Sequence, residues 1–342
     1  MSEDHQQFER RKQDHIELAL IPSNQAEELN VLDHVSLIHE ALPDLDFNEI
    51  DVRTTRLGER VANPFMVASM TAGHAKGVDI NQRLVAACAE SGWAMGVGSQ
   101  RRELTDEEAS LEWLPIRKKY PEVSLLSNLG IAQVITASVS EIQKLTDSLQ
   151  AKALIIHCNA LQECIQPEGT PFFKGSLQAI GRIVRALPLP VVVKETGCGF
   201  SKPTLTRLQE IGVAAVDVSG LGGTHWGRIE GHRAVNDNMR KTAAHTFRNW
   251  GVNTVQSVCD AVALQANFEV WGSGGVRNGL DAAKLIALGA STIGFAKPML
   301  HAALHSIEEI VALMNSIEYE LKVAMFCTGS RELSELKEKA CR

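Results

Sequence analysis

No cysteine pair in this 342-residue sequence has the spacing of a metal finger, and the seven cysteines form an odd set. Two of them sit in Gly197-Cys198-Gly199 and Phe326-Cys327-Thr328, contexts that read as tight turns. The pattern excludes a zinc module and a disulfide scaffold and fits reduced thiols. A run of about 18 consecutive apolar residues is also missing, which excludes a transmembrane helix. Met1 to His15 is dense in charge and lacks the apolar stretch of a secretory signal, so a cytoplasmic protein is expected. Positive charge is in short supply, with 34 Lys and Arg against 41 Asp and Glu and a formal net charge of -7. General nucleic-acid binding is therefore not expected, and an anionic ligand would need a local basic cluster. What is present is 44% hydrophobic and 22% charged residues, an ordinary globular composition with ample core.

Short apolar runs rich in β-formers recur along the chain with helical patterns between them. The expected strands are Pro64–Ser69, Ala94–Gly98, Ser124–Asn128, Ala153–His157, Val191–Glu195, Ala214–Ser219, Glu269–Ser273 and Ser291–Ala296. Eight such strands close a parallel barrel, so the fold class is α/β, a single (β/α)₈ TIM barrel over residues 61–342. Residues 1–60 form an N-terminal extension that contributes to the active site. Helices are expected at Asn81–Glu90, Val139–Leu149, Leu177–Leu187, Thr204–Ile211 and Gly279–Leu288. Pro188 and Pro190 stop one of them, and Gly212 and Gly289 stand where C-terminal caps belong. The longest irregular stretch runs from Gly220 to about Asn253, and so long a loop in a compact domain is usually functional. An open doubly wound sheet would carry a glycine fingerprint after its first strand. Met70-Thr71-Ala72-Gly73-His74 is not that fingerprint, and the glycine turns come after strands six and seven instead.

Barrel chemistry sits at the C-terminal ends of strands. Those ends are polar here: Ser69-Met70-Thr71, Ser99-Gln100-Arg101, Asn128, His157-Cys158-Asn159, Lys194-Glu195 and Asp217-Val218-Ser219. One such residue could be a structural cap, but six consecutive strands ending this way point to a site. Lys194 emerges from an apolar strand and either pairs with Asp217 or stabilises an anion. Gly220-Leu221-Gly222-Gly223-Thr224 and Gly272-Ser273-Gly274-Gly275-Val276-Arg277 offer exposed backbone N–H groups and read as a cofactor-phosphate cradle. Glu163, near His157, Asn159 and Gln162, suits a Mg²⁺ that keeps its waters and binds substrate phosphates, or is a solvated carboxylate. Arg11-Lys12 with His15 is either a substrate-facing pair or a charged helix face.

Several of these segments together resemble the FMN-dependent type 2 isopentenyl-diphosphate isomerases. They are Arg11-Lys12-Gln13-Asp14-His15, His157 through Gln162-Glu163 to Gln166-Pro167-Glu168-Gly169, and Val193-Lys194-Glu195 with Gly197-Cys198-Gly199. Asp217-Val218-Ser219-Gly220, Gly222-Gly223-Thr224, Trp226, Ile229-Glu230, Arg233 and Trp250-Gly251 extend the likeness over nearly the whole chain. The resemblance implies that Ser69, Met70, Thr71, Ser99, Asn128, Lys194, Ser219 and Thr224 line FMN. Gly274, Gly275, Val276 and Arg277, with Ala296 and Lys297, would hold its phosphate end. Arg11, Lys12, Ser99, Gln100, Arg101, His157, Asn159 and Gln162 would face a diphosphate substrate, and Glu163 would ligate Mg²⁺. Gln162, close to the reacting carbons, and His157 would be the catalytic residues.

The implied reaction interconverts isopentenyl and dimethylallyl diphosphate by adding one proton and removing another. Reduced FMN would be the acid–base group, with NADPH as reductant, in a homo-oligomer, a tetramer or octamer. Ala72 stands where the family more often has glycine, and Lys297 where it often has arginine, which gives up bidentate phosphate geometry. The rival readings are an FMN barrel oxidoreductase of the 2-hydroxy-acid oxidase type and a non-catalytic flavin or prenyl-diphosphate binding protein.

Overall fold

In the computed structural model, which describes residues 5–70, 75–337 and 339–341, eight parallel strands close into a barrel. They are β1 (Phe65–Val67), β2 (Ala94–Gly96), β3 (Leu125–Gly130), β4 (Ala153–Cys158), β5 (Val191–Glu195), β6 (Ala215–Asp217), β7 (Glu269–Gly272) and β8 (Thr292–Phe295). Each pairs in parallel with its sequence neighbour, and β8 returns to β1 through Ile293↔Phe65, Gly294↔Met66 and Phe295↔Val67. All eight expected strands are present; five are one to three residues shorter than expected, two are one residue longer and Val191–Glu195 matches. Side-chain direction alternates along each strand, so Met66 faces inward while Phe65 and Val67 face the helices. Met66, Leu126, Ile155, Val192 and Trp271 fill the interior, and a larger apolar layer separates the strands from the helices. Burial on both faces is why these strands read as unbroken apolar runs.

The N-terminal end of the barrel is plugged by a hairpin, Thr54–Arg56 against Glu59–Val61. Leu57 and Gly58 form its two-residue turn with φ of +50° and +81°, the doubly left-handed geometry that matches strand twist. Leu57 rests on the interior cluster, and Arg56 Nη2 donates to Phe65 O at 2.8 Å. The opposite end is therefore left for chemistry.

The stretch from Gly220 to Asn253 departs from expectation. It carries two helices, Trp226–Arg233 and Asn238–Thr246. The first looks like a loop in sequence because it contains Gly227 and Gly231. Both are packing requirements: a Cβ on Gly231 would lie 2.4 Å from Ala244 Cβ, and one on Gly227 would lie 3.0 Å from Leu161 Cδ2. Close helix contact, not chain flexibility, selected those glycines. The N-terminal helix His5–Ala19 lies against the helix Trp226–Arg233 and buries His15, Ile16 and Ala19.

Candidate active site

The glycine turns after β6 and β7 stack on one another with no room for side chains. A Cβ on Gly274 (φ +94°) would sit 2.3 Å from Gly220 O, and one on Gly275 (φ +79°) 2.5 Å from Gly222 O. These turns form one wall of a cavity of about 600 Å³. Ser69, Met70, Lys194, Ser219 and Thr224 line it, as do Val276, Arg277, Ala296 and Lys297. Thr71 lies outside the described residues. The wall meets the demands of a flavin phosphate: bare backbone on one side and the Ala296-Lys297 segment on the other. The two side-chain cations at that end are already paired. Arg277 donates through Nε to Asp281 at 2.8 Å and through Nη2 to Asp33 at 2.5 Å, and Lys297 Nζ meets Glu27 Oε1 at 2.8 Å. Residues 22–34 of the extension reach this wall. Gln25 lines the cavity and accepts from Thr224 Oγ1 at 3.1 Å.

Lys194 combines the two readings of its sequence context. It is 4% exposed, with Nζ 2.9 Å from Asp217 Oδ2 and 3.2 Å from Ser273 Oγ, and Ser273 in turn donates to Asp217 at 2.5 Å. The pair exists, and the same ammonium borders the large cavity and a second, smaller one.

The smaller cavity, about 110 Å³, shares Lys12, His15, Ser69, Met70, Lys194 and Trp226 with the larger. Arg11, Ser99, Arg101 and Asn128 complete its wall together with His157, Asn159, Gln162 and Glu163. Gln100 stands apart from the other expected substrate residues. It is 1% exposed behind the wall, where Oε1 accepts from Asn128 N at 3.1 Å and from the Ser127 hydroxyl, and Nε2 donates to Glu103 at 2.9 Å. It orients Asn128 instead of lining the cavity. The Asn128 amide donates to Val97 O at 3.0 Å, so its oxygen accepts from His157 Nδ1 at 2.9 Å. Burial, helped by the charges of Lys12 and Lys194, drives the His157 pKa down to about 3, so the ring is neutral near pH 7.

Asn159 Nδ2 donates to Gln162 Oε1 at 3.0 Å and to Glu163 Oε1 at 2.9 Å, while Glu163 Oε2 accepts from Thr170 N at 2.5 Å. Among the described residues no three His, Cys, Asp or Glu side chains converge as a metal cage. Glu163 stands as a single carboxylate at the cavity wall.

Glu230 received no role in the sequence reading, yet it is fully buried beside the smaller cavity. It accepts from His15 Nε2 at 2.8 Å, from Gln162 Nε2 at 3.0 Å and from Arg233 Nη1 at 2.7 Å. Burial opposes its ionisation, but the His15 bond, the Arg233 charge and the Gln162 bond outweigh that and hold its pKa near 2. His15 is shifted down because its own burial prevails over Glu230, so it donates as a neutral ring. The available signal was an acid and a base three residues apart on one face, Glu230 and Arg233. Read as part of a loop, they were not placed on one face.

The FMN-dependent dehydrogenase family pattern matches residues 170–342. An isopentenyl-diphosphate delta-isomerase of Legionella pneumophila (strain Corby) is 64% identical over 341 residues, covering 100% of both chains. This chain belongs to the isopentenyl-diphosphate delta-isomerase family, in its FMN-dependent form. Within that family a Bdellovibrio bacteriovorus enzyme of the same name is 51% identical over 99% of each chain. A Nostoc sp. member is 39% identical over 98% of this chain and 95% of its own. Solved structures share the isomerase fold at low identity. A mandelate oxidase with (S)-2-phenylpropionate has a TM-score of 0.67 at 19% identity, covering 100% of this chain and 98% of its own. A flavocytochrome b2 with benzoylformate has a TM-score of 0.69 at 18% identity, covering 96% and 82%. The barrel is thus shared with flavoprotein structures of other activity, so the fold alone does not decide the chemistry.

Proposed function

We propose that the two cavities are the cofactor and substrate halves of an enzyme interconverting isopentenyl and dimethylallyl diphosphate. The observation that carries this reading is a small cavity bordered by Arg11, Lys12, Arg101 and Lys194 that opens onto the glycine-walled one. Four cations gathered in a net-acidic protein suit a diphosphate, whose oxygens can engage several donors at once. Reduced FMN, when bound, would supply the acid–base chemistry of the site, with NADPH or another reductant needed to reach that form.

The chain's own residues would bind and orient. Arg11, Lys12 and Arg101 would hold the diphosphate, and Glu163 would hold a Mg²⁺ that offsets the diphosphate charge. Gln162 is fixed at both ends of its amide, by Asn159 and by Glu230, and so presents one orientation to the hydrocarbon end. His157, neutral near pH 7 in the protein alone, would offer a hydrogen-bonding group to the substrate. Glu230 stays ionised and anchors Gln162 and His15. Trp226 and Met70 supply apolar surface beside a developing carbocation. The extension of residues 1–60 belongs to the site through Arg11 and Lys12. No helix among the described residues is long and apolar enough to cross a membrane. A cytoplasmic homo-oligomer completes the proposal, supported by the family resemblance.

The test is turnover by purified holoenzyme. Isomerisation of isopentenyl diphosphate after reduction with NADPH or dithionite, requiring Mg²⁺ and absent in the oxidised form, is expected. Oxidation of a 2-hydroxy acid with no isomerisation would overturn the proposal in favour of the oxidase reading.

A further inference from the structure

Three elements meet at the guanidinium of Arg233, whose side chain is 8% exposed. Nη1 donates to Glu230 Oε2 at 2.7 Å and to Glu168 Oε2 at 3.1 Å, and Nη2 donates to Glu168 Oε1 at 2.9 Å. Nε reaches Asp14 Oδ2 at 3.4 Å. Asp14 belongs to the N-terminal helix, Glu168 to the turn after the helix Ala160–Ile165, and Glu230 to the same helix as Arg233. A planar fork with five donors can bind one carboxylate bidentately and still reach two others, which a single ammonium cannot. With three carboxylates around one cation, this is a clamp between elements and not an anion site.

Each arm leads to a residue of the smaller cavity. Glu230 holds His15 of the N-terminal helix and Gln162. The turn containing Glu168 ends at Thr170, whose N–H donates to Glu163. The Gln166 amide is oriented with nitrogen toward Glu230 Oε1 at 3.0 Å, because the reverse would set oxygen against a carboxylate. Its oxygen then lies 3.3 Å from Arg11 Nη1. One buried arginine thus sets the register between the helix carrying Arg11 and Lys12 and the segment carrying Gln162 and Glu163.

We propose that Arg233 is a positioning residue that latches the N-terminal helix over the smaller cavity, so that Arg11, Lys12, Gln162 and Glu163 face the diphosphate together. This rests on the reading of that cavity as the substrate half. The experiment compares wild-type holoenzyme with Arg233→Lys and, as a milder cut at one arm, Glu168→Gln. Hydrogen exchange of residues 10–19 is measured beside steady-state kinetics with isopentenyl diphosphate and flavin absorbance. In Arg233→Lys the helix should exchange about tenfold faster or more, while β5 keeps its wild-type protection and FMN content is unchanged. KM should rise about tenfold with kcat within about threefold, and Glu168→Gln should shift both readouts the same way by less. Wild-type protection of residues 10–19 in both variants, or exchange raised equally in β5, overturns the latch. Exchange needs no turnover, so a wild-type enzyme that fails to isomerise sinks the substrate reading, while the exchange data still judge the latch.

Discussion

Replacing Lys194 with methionine should do two separable things. The ammonium is 2.9 Å from Asp217, and the two side chains are 6% and 2% exposed. Removing one member of such a pair leaves a buried carboxylate without its countercharge, a loss of about 3–5 kcal/mol. The Ser273 hydroxyl that still donates to Asp217 should keep the figure at the lower end. Neutralising both partners in Lys194→Met/Asp217→Asn removes that penalty and should return stability to within about 2 kcal/mol of wild type. Flavin binding should not return with it. A charge-assisted hydrogen bond from the ammonium to the flavin ring would contribute about 1.5–3 kcal/mol, so its loss means a drop of about 10- to 150-fold in FMN affinity. The assays are urea unfolding of the apoprotein and quenching of FMN fluorescence on titration. A double variant that regains both stability and wild-type FMN affinity would show that Lys194 serves only the pair, and the cofactor argument would fall.

Other expectations address the smaller cavity. Arg11→Ala/Lys12→Ala should reduce kcat/KM for isopentenyl diphosphate by about 10²-fold or more, chiefly through KM, with FMN content and melting temperature near wild type. A wild-type KM would leave the pair as a charged helix face. Glu163→Gln should raise the Mg²⁺ concentration for half-maximal rate without loss of FMN. Activity lost equally at every Mg²⁺ level would point to proton transfer by Glu163 instead. Glu230 has a folded pKa near 2, below its ordinary 4.5, so its contribution is fully present above 4.5 and is lost as pH falls toward 2. Unfolding free energy should therefore drop between pH 5 and pH 3 by about 2 kcal/mol more in wild type than in Glu230→Gln. Parallel pH profiles for the two proteins would refute that assignment.

The barrel was legible because its strands are buried on both faces, so apolar runs such as Val191–Val193 stand out from any context. The glycine turns of the larger cavity were legible for a related reason: Gly274 and Gly275 are forced by backbone contact, and glycine leaves a mark in sequence. Four things escaped. The floor hairpin was missed because its strands are three residues each, although Leu57-Gly58 between Thr-Thr-Arg and Glu-Arg-Val is a readable turn. The helix Trp226–Arg233 was hidden by glycines that serve packing. Gln100 looked like a ligand-facing residue because it adjoins Ser99 and Arg101, and only the three-dimensional turn directs its amide inward to Ser127 and Asn128. The role of Glu230 depends on partners 215 and 68 residues away, distances at which sequence pattern carries no information.

The lean of residues 22–34 against the cofactor wall sets an order on how the enzyme comes into being. Gln25 meets Thr224 across 199 residues, Asn30 meets Gly275 across 245, and Asp33 meets Arg277 across 244. A segment made early thus finds these partners only after 199 to 245 further residues have been made. Until β7 and its turn emerge, Asn30 and Asp33 lack their partners Gly275 and Arg277, and the glycine wall has only one of its two turns. Such long closures are slow and leave apolar surface uncovered in the interval. Flavin capture then becomes a marker of completed synthesis: a nascent chain truncated before Gly274 should remain colourless however well its earlier strands have paired.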